Sequence, residues 1–211
     1  MLWVIGFVVL VLVVAILMYN GLVQKRNRTQ EAWSQIDVEL KRRHDLIPNL
    51  VSTVQGYAAH ERGTFDEVTA ARAGAISAGQ TGDPTKVAAA ENMLTASLKS
   101  LFAVAENYPQ LRAVESFTQL QEQLTATEDK IEFARRYYNG SARDYNIALQ
   151  SFPGNLVAGT FGFKAVAFFE ADATDRAVPV VNFTGAGGPP AATGAQSGPP
   201  TDPTSGPPAA S

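Results

Sequence analysis

An unbroken apolar run lies at the start of the sequence. From Leu2 to Met18 it reads LWVIGFVVLVLVVAILM, without a charged side chain. At about 1.5 Å per helical residue, the run and its flank to Val23 span roughly 30 Å, the thickness of a bilayer's hydrocarbon core. A cleaved signal peptide would carry a basic segment before the run and small residues at a cleavage site after it. The sequence has neither feature, so the pattern predicts an uncleaved transmembrane anchor at residues 1–24.

After the anchor, apolar residues recur every three or four positions in three long stretches. This spacing, close to 3.5 residues, is typical of helices that pack at shallow angles. We expect helices over about residues 25–73, 85–107 and 109–152, with Asp83 capping the second and Pro109 in the first turn of the third. The stripe of the first helix comprises Trp33, Ile36, Leu40, Ile47, Leu50, Val54, Tyr57, Phe65 and Val68.

A Phe-rich segment follows the break at Pro153–Gly154. Residues 155–170 are expected to form a short apolar helix across the bundle, covering the part of the third helix that would extend beyond the second. The sequence therefore predicts an all-α protein: a transmembrane helix, an elongated antiparallel bundle of three long helices at residues 25–183, and a short C-terminal helix. Residues 184–211 are almost half Gly and Pro and are predicted to be disordered.

Composition excludes several kinds of chemistry. The chain has no cysteine, two histidines and a formal net charge of −3, which argues against thiol chemistry, transition-metal sites and nucleic-acid binding. His44 and His60 would lie about 160° apart around one straight helix and could share a site only across a break. Because no nucleophile elbow, phosphate-binding loop or zinc-protease motif is present, we expect no catalytic residue, cofactor or metal.

Polar residues on or beside the apolar stripes form the candidate interface. Arg43 and Arg135 are expected to find carboxylate or carbonyl partners on neighbouring helices, because an unpaired buried charge is costly. The set either specifies helix register or lines a groove for a partner. Pro48 removes a helical hydrogen bond and predicts a kink, which serves either packing or a hinge. The full set is Arg43, Asp45, Pro48, Asn49, Glu61, Glu128, Arg135, Asn139 and Asn146.

Charge asymmetry around the anchor predicts its orientation. Two basic clusters follow the apolar run, at residues 25–28 and 41–43, whereas the N-terminal flank has only its α-amine. The positive-inside rule then places the N-terminus outside and the helical domain in the cytoplasm.

Several motifs in order resemble the LemA family of bacterial membrane proteins. They are WSQID, RRHDLIPNLV and QGYAAHE between Trp33 and Glu61, ENYPQL from Glu106, the run from Phe117 to Glu128, the Tyr- and Asn-containing pattern from Arg135 to Asn146, and FPGNL from Phe152. The resemblance covers about residues 1–170. It implies an inner-membrane anchor followed by an elongated helical domain inside the cell, and it carries over no catalytic residue.

Three functional hypotheses remain open from the sequence. The first is a non-enzymatic adaptor or scaffold that contacts membrane or cytoplasmic proteins. The second is a homo-oligomer that organises the membrane, with the basic segment near anionic lipids. The third is a regulator of membrane proteolysis that uses His44 or His60.

Overall fold

The computed structural model describes residues 1–170, and these contain helices and no strand. The all-α class predicted from the sequence is confirmed. The predicted disordered tail, residues 184–211, lies outside the described residues. The six helices of the described part are α1 (Leu2–Gln55), α2 (Arg62–Gly79), α3 (Pro84–Glu106), α4 (Pro109–Arg112), α5 (Glu115–Gln150) and α6 (Gly154–Phe161).

The anchor and the first bundle helix are one continuous helix. α1 has 54 residues and is therefore about 80 Å long. Its apolar N-terminal part is long and hydrophobic enough to cross a membrane, and none of that part is buried within the protein. Burial begins at Leu22, only four positions after the apolar run ends. No linker therefore separates the anchor from the bundle.

The prediction of a single helix over residues 25–73 is wrong, because the chain leaves the helix after Gln55 and re-enters it at Arg62. Backbone hydrogen bonds from Ala58 to Val54 and from Glu61 to Ala58 close the intervening turns. A continuous helix would carry Phe65 and Val68 past the end of the core. Reversal instead buries both side chains against the distal half of α1.

The long helices alternate in direction. Residues 37–45 of α1 and 75–80 of α2 line one cavity, so α2 runs back along α1, while α3 runs parallel to α1 and α5 antiparallel to it. The Asp83 carboxylate accepts a hydrogen bond from the Thr85 amide and caps α3 as predicted. Pro109 opens only the four-residue α4, and the chain straightens at Val114 before α5 begins.

Two apolar clusters form the core, one at each end of the α1–α5 pair. The membrane-distal cluster is built from α1, α2, α3 and the first half of α5. The membrane-proximal cluster contains Ile36, Tyr138 and Phe169 among its members. The first turn of α3 also reaches this cluster through Val87 and Ala88, and the Phe-rich segment adds Phe169 to it. The Phe-rich segment is not one helix as predicted: α6 ends at Phe161, the following Gly162 has a φ of 70° that terminates the helix, and residues 163–170 are non-helical.

Candidate functional site

A buried charged cluster ties three helices together near the middle of the bundle. Arg43 of α1 donates from Nη1 to Glu91 Oε2 of α3 at 3.1 Å, and the two side chains are almost completely buried. His44 Nε2 lies 2.7 Å from the other carboxylate oxygen, Glu91 Oε1. The predicted carboxylate partner of Arg43 is therefore confirmed, and the buried charge is compensated.

Two further side chains complete the surroundings of Arg43. Its Nη2 donates to Thr95 Oγ1 at 2.7 Å, while its Nε lies 2.9 Å from Glu128 Oε1 of α5 without an aligned hydrogen bond. Burial raises the pKa of Glu128 above its ordinary value; the neighbouring Arg43 charge opposes this rise, and Glu91 adds to it. Because Glu128 keeps 44 % of its side chain exposed, Glu91 is the principal buried counter-ion.

The cluster is suited to holding helices in register. Arg43 contacts one carboxylate oxygen of Glu91 and His44 the other, so this buried side chain joins α3 to α1 at two adjacent positions. Among residues 1–170, no group of three or more His, Asp or Glu side chains is placed to hold a metal ion. His60 lies exposed in the turn between α1 and α2.

A second polar arrangement holds residues 163–170 along α5. Asn146 donates from Nδ2 to the carbonyl of Val166 and accepts at Oδ1 from the Val166 amide, at 2.9 and 3.0 Å. Asn139 makes the same pair of hydrogen bonds with the backbone of Phe169, both at 2.9 Å. Each side-chain amide thus bonds both the backbone N–H and the backbone carbonyl of one residue, as a neighbouring β-strand would. We call Asn139 and Asn146 the asparagine clamp.

The spacing of the clamp matches an extended chain. Seven helical residues separate the two asparagines, a rise of about 10.5 Å, and three extended residues from Val166 to Phe169 span about 10 Å. The carbonyl of Ala167, which lies between Val166 and Phe169, accepts a hydrogen bond from the Tyr138 hydroxyl at 2.8 Å. Burial raises the pKa of this tyrosine to about 12. Phe169 packs beside Trp33 in the proximal core.

An open groove runs between α1 and α5 on another side of the bundle. It encloses about 530 Å³ and is lined by Val38 and Phe133 together with polar side chains such as Gln35 and Asp129. Val38 and Phe133 are 65 % and 66 % exposed. We call this surface the Val38–Phe133 groove. It is an apolar surface on the bundle that no described residue covers.

The nine candidate interface residues proposed from the sequence do not form one site in the structure. It brings Arg43 to Glu128 and joins Asn139 and Asn146 in the clamp. Arg135 is half-buried, but it makes no hydrogen bond or ion pair within residues 1–170, so its expected partner is not found there. The remaining residues are apart from these groups: Asp45, Pro48 and Asn49 lie exposed on α1, and Glu61 precedes α2.

Sequence reasoning missed three residues that complete these arrangements. Glu91 lies four positions after Val87 and three before Leu94, a stripe position that the helical period could have revealed. Tyr138 lies seven positions after Ile131, a spacing that indicates a place on the apolar stripe but gives no sign of the hydrogen bond from its hydroxyl to Ala167. Arg72 donates from Nε to the His44 backbone carbonyl across the α1–α2 interface, and nothing in the local sequence indicates that contact.

The sequence profile of the LemA family matches residues 32–183, more than half of the chain. Protein LemA of Metamycoplasma hominis is 28 % identical over 159 residues, which cover 74 % of this chain and 71 % of that protein.

Magnetosome proteins are similar to the same extent. Magnetosome protein MamQ 2 of Paramagnetospirillum magneticum and Magnetosome protein MamQ of Magnetospirillum gryphiswaldense are each 28 % identical over 175 residues. Each alignment covers 72 % of this chain and 64 % of the relative, so the chain spans slightly less than two thirds of their length.

Proposed function

The chain belongs to the LemA family, and from this we propose that it acts as an adaptor, a scaffold that makes protein–protein contacts at the bacterial inner membrane. It is a single-pass membrane protein, and residues 1–170 contain one helix apolar enough to cross a bilayer. Because α1 continues from that helix into the bundle, a partner bound to the bundle would be held at a fixed distance from the bilayer.

The Val38–Phe133 groove is the observation that supports contact with another protein. Val38 and Phe133 remain about two-thirds exposed although both lie on the long helices that form the core. Burying two such side chains releases about 1.5–3 kcal/mol each, a useful part of a binding energy. Asp129 and Lys130 at its edge would restrict which partners fit. The half-buried Arg135 lies on the same helix and offers a further donor.

Site-specific photo-crosslinking tests the adaptor role. A photoreactive residue at Phe133 in the full chain should capture a distinct protein in cells, which mass spectrometry identifies. The matched control is the same residue at Met93, which is equally exposed, at 68 %, but lies on α3 outside the groove. Capture of nothing beyond the control, or of the same proteins by both positions, would contradict the adaptor role. Arg135→Leu should reduce capture without changing helicity.

The proposed orientation places the N-terminus outside and the bundle in the cytoplasm. Its support is the basic cluster at residues 25–28, which follows the apolar run directly and which anionic lipids would attract by about 1 kcal/mol per cation. A reporter enzyme active only in the periplasm, fused to the C-terminus, should remain inactive. A cytoplasmic reporter at the same position should be active, and the reverse pattern would overturn the orientation.

Self-association is the second candidate function. Two relatives are named as magnetosome proteins, which favours a structural role in organising membrane. A second copy of this chain could cover the same Val38–Phe133 groove. The crosslinking experiment distinguishes the two functions, because self-association gives an adduct of twice the chain's mass. That adduct should also form from purified protein in detergent and grow with concentration.

A further inference from the structure

α6 packs against the membrane-proximal end of α1. Gly154 lies so close to α1 and α5 that a Cβ atom there would meet the Ala148 carbonyl oxygen at 2.5 Å and the Met18 side chain at 3.6 Å. At the other end of α6, the Phe161 ring lies 4.9 Å from the ring of Tyr19, centroid to centroid. Met18 and Tyr19 mark the end of the apolar run, so α6 sits where the anchor leaves the bilayer.

α6 and the residue Phe152 before it carry large apolar side chains that the bundle does not cover. Phe152 and Leu156 are 81 % and 62 % exposed, and Phe161 retains more than half of its surface despite its contact with Tyr19. On α1, Ile16 and Leu17 directly precede the two residues that α6 contacts, Met18 and Tyr19, and their side chains are 59 % and 65 % exposed. An apolar patch that continues the surface of a membrane-spanning helix is suited to lipid.

Basic side chains lie beside the patch. Lys25 and Lys164 are exposed, and the Arg26 guanidinium carbon lies 5.5 Å from the centroid of the Phe163 ring, one residue beyond the end of the α6 cap. Tyr19 itself lies between the apolar run and these cations. An aromatic residue, apolar side chains and flanking cations in this order are typical of segments in the headgroup region of a membrane.

We propose that α6 is an interfacial membrane-binding element, with Phe152, Leu156 and Phe161 inserted at the boundary between headgroups and acyl chains. The bilayer is the occupant because α6 contacts Met18 and Tyr19, at the end of the anchor that lies in it. Insertion of α6 beside α1 gives the bundle a second point of attachment, which fixes its tilt and rotation relative to the membrane. The proposal rests on the membrane anchor and is independent of the adaptor role.

The absence of cysteine makes a labelling experiment direct. A single cysteine at Leu156 in the full chain, carrying an environment-sensitive fluorophore, is reconstituted in nanodiscs of equimolar phosphatidylcholine and phosphatidylglycerol. Its emission should lie at shorter wavelength than that of the same fluorophore attached at Met93. Lipids with a nitroxide near the carbonyl end of the acyl chain should quench it. A second labelled position, Phe152, keeps the test decisive if Leu156→Cys does not fold.

The matched control is a label at Met93, which is as exposed as Leu156. Met93 lies two residues after Glu91, the partner of Arg43, and Arg43 is about 35 Å further along α1 than Tyr19. The Met93 label should emit at longer wavelength than the Leu156 label and should not be quenched. The proposal is overturned if the Leu156 and Phe152 labels both stay unquenched, or if the Met93 label is quenched to the same degree. Photo-crosslinking at Phe133 is unaffected by either result, so this proposal and the adaptor role can fail separately.

Discussion

The Arg72 guanidinium donates from Nε to the His44 backbone carbonyl at 2.7 Å. In a regular helix that carbonyl would accept from the amide of the residue four positions later, but that residue is Pro48, which has no N–H. α1 continues through the proline to Gln55, so the freed carbonyl remains inside the helix. Pro48 thus creates the acceptor that α2 uses to dock on α1, a consequence that the predicted kink did not include.

Removing the Arg72 side chain should reveal this coupling. Arg72→Ala is expected to lower the free energy of unfolding by about 1.5–3 kcal/mol, since the carbonyl loses a charged donor. In a Pro48→Ala background the loss should be smaller, because the alanine amide can bond to the same carbonyl. Urea unfolding of the full chain in detergent, followed by circular dichroism, gives the double-mutant cycle. Equal losses in both backgrounds would show that the two residues are not coupled.

The two carboxylates around Arg43 should differ strongly in their effect on stability. Glu91→Ala leaves Arg43 and His44 buried without their shared counter-ion and is expected to destabilise the protein by about 3–5 kcal/mol. Glu128→Ala removes a partner that water reaches and should change stability by less than about 1 kcal/mol. The same unfolding measurement applies, with each variant serving as the control for the other. Similar losses would contradict the assignment of Glu91 as the principal counter-ion.

Loss of the asparagine clamp should loosen the extended segment. Asn146→Ala removes both hydrogen bonds to the Val166 backbone, each contributing about 1 kcal/mol. Hydrogen exchange in the peptide spanning residues 163–170 should therefore accelerate by about tenfold or more, while peptides from α3 keep their rates. Asn139→Ala should act in the same way through Phe169. Unchanged exchange in both variants would mean that apolar packing alone holds the segment.

Two glycines should respond in opposite ways to alanine. Gly140 lies in the interior of α5 with open space around it, so Gly140→Ala should stabilise the protein by up to about 1 kcal/mol through helix propensity. Gly154 has no room for a Cβ atom against the Ala148 carbonyl, so Gly154→Ala should displace α6 and lower stability. Thermal unfolding of the two variants beside the parent chain makes the comparison. Stabilisation by Gly154→Ala would contradict the close approach of α6.

Alkaline pH should destabilise the protein through Tyr138. Its pKa is raised from 10.0 to about 12 in the folded chain, so above pH 10 the unfolded state loses the phenolic proton first. Folding stability then falls as pH rises from about 10 to about 12, by roughly 1 kcal/mol at pH 11. Tyr138→Phe should show a correspondingly smaller loss between about pH 9 and about pH 11 in urea unfolding. An identical pH dependence in the variant would contradict the raised pKa.

The sequence by itself determined the anchor, the all-α class and most helix segments. The reason is that the length of an apolar run, a period near 3.5 residues and the caps at Asp83–Pro84 are local properties of the chain. It also indicated that Arg43 needs a carboxylate or carbonyl partner, because the stripe position alone implies burial. The asparagines of the clamp were selected for the same reason, although their ligand was not identified.

Only the tertiary structure decided which residues those polar groups meet. The break after Gln55 depends on the gain from burying Phe65 and Val68 against distant parts of the chain, which outweighs the local tendency to continue the helix. The pairing of Arg43 with Glu91, and of the clamp with Val166 and Phe169, joins positions 20 to 48 residues apart. Helical periodicity fixes the face on which a side chain lies, whereas its partner depends on how the faces of separate elements pack together.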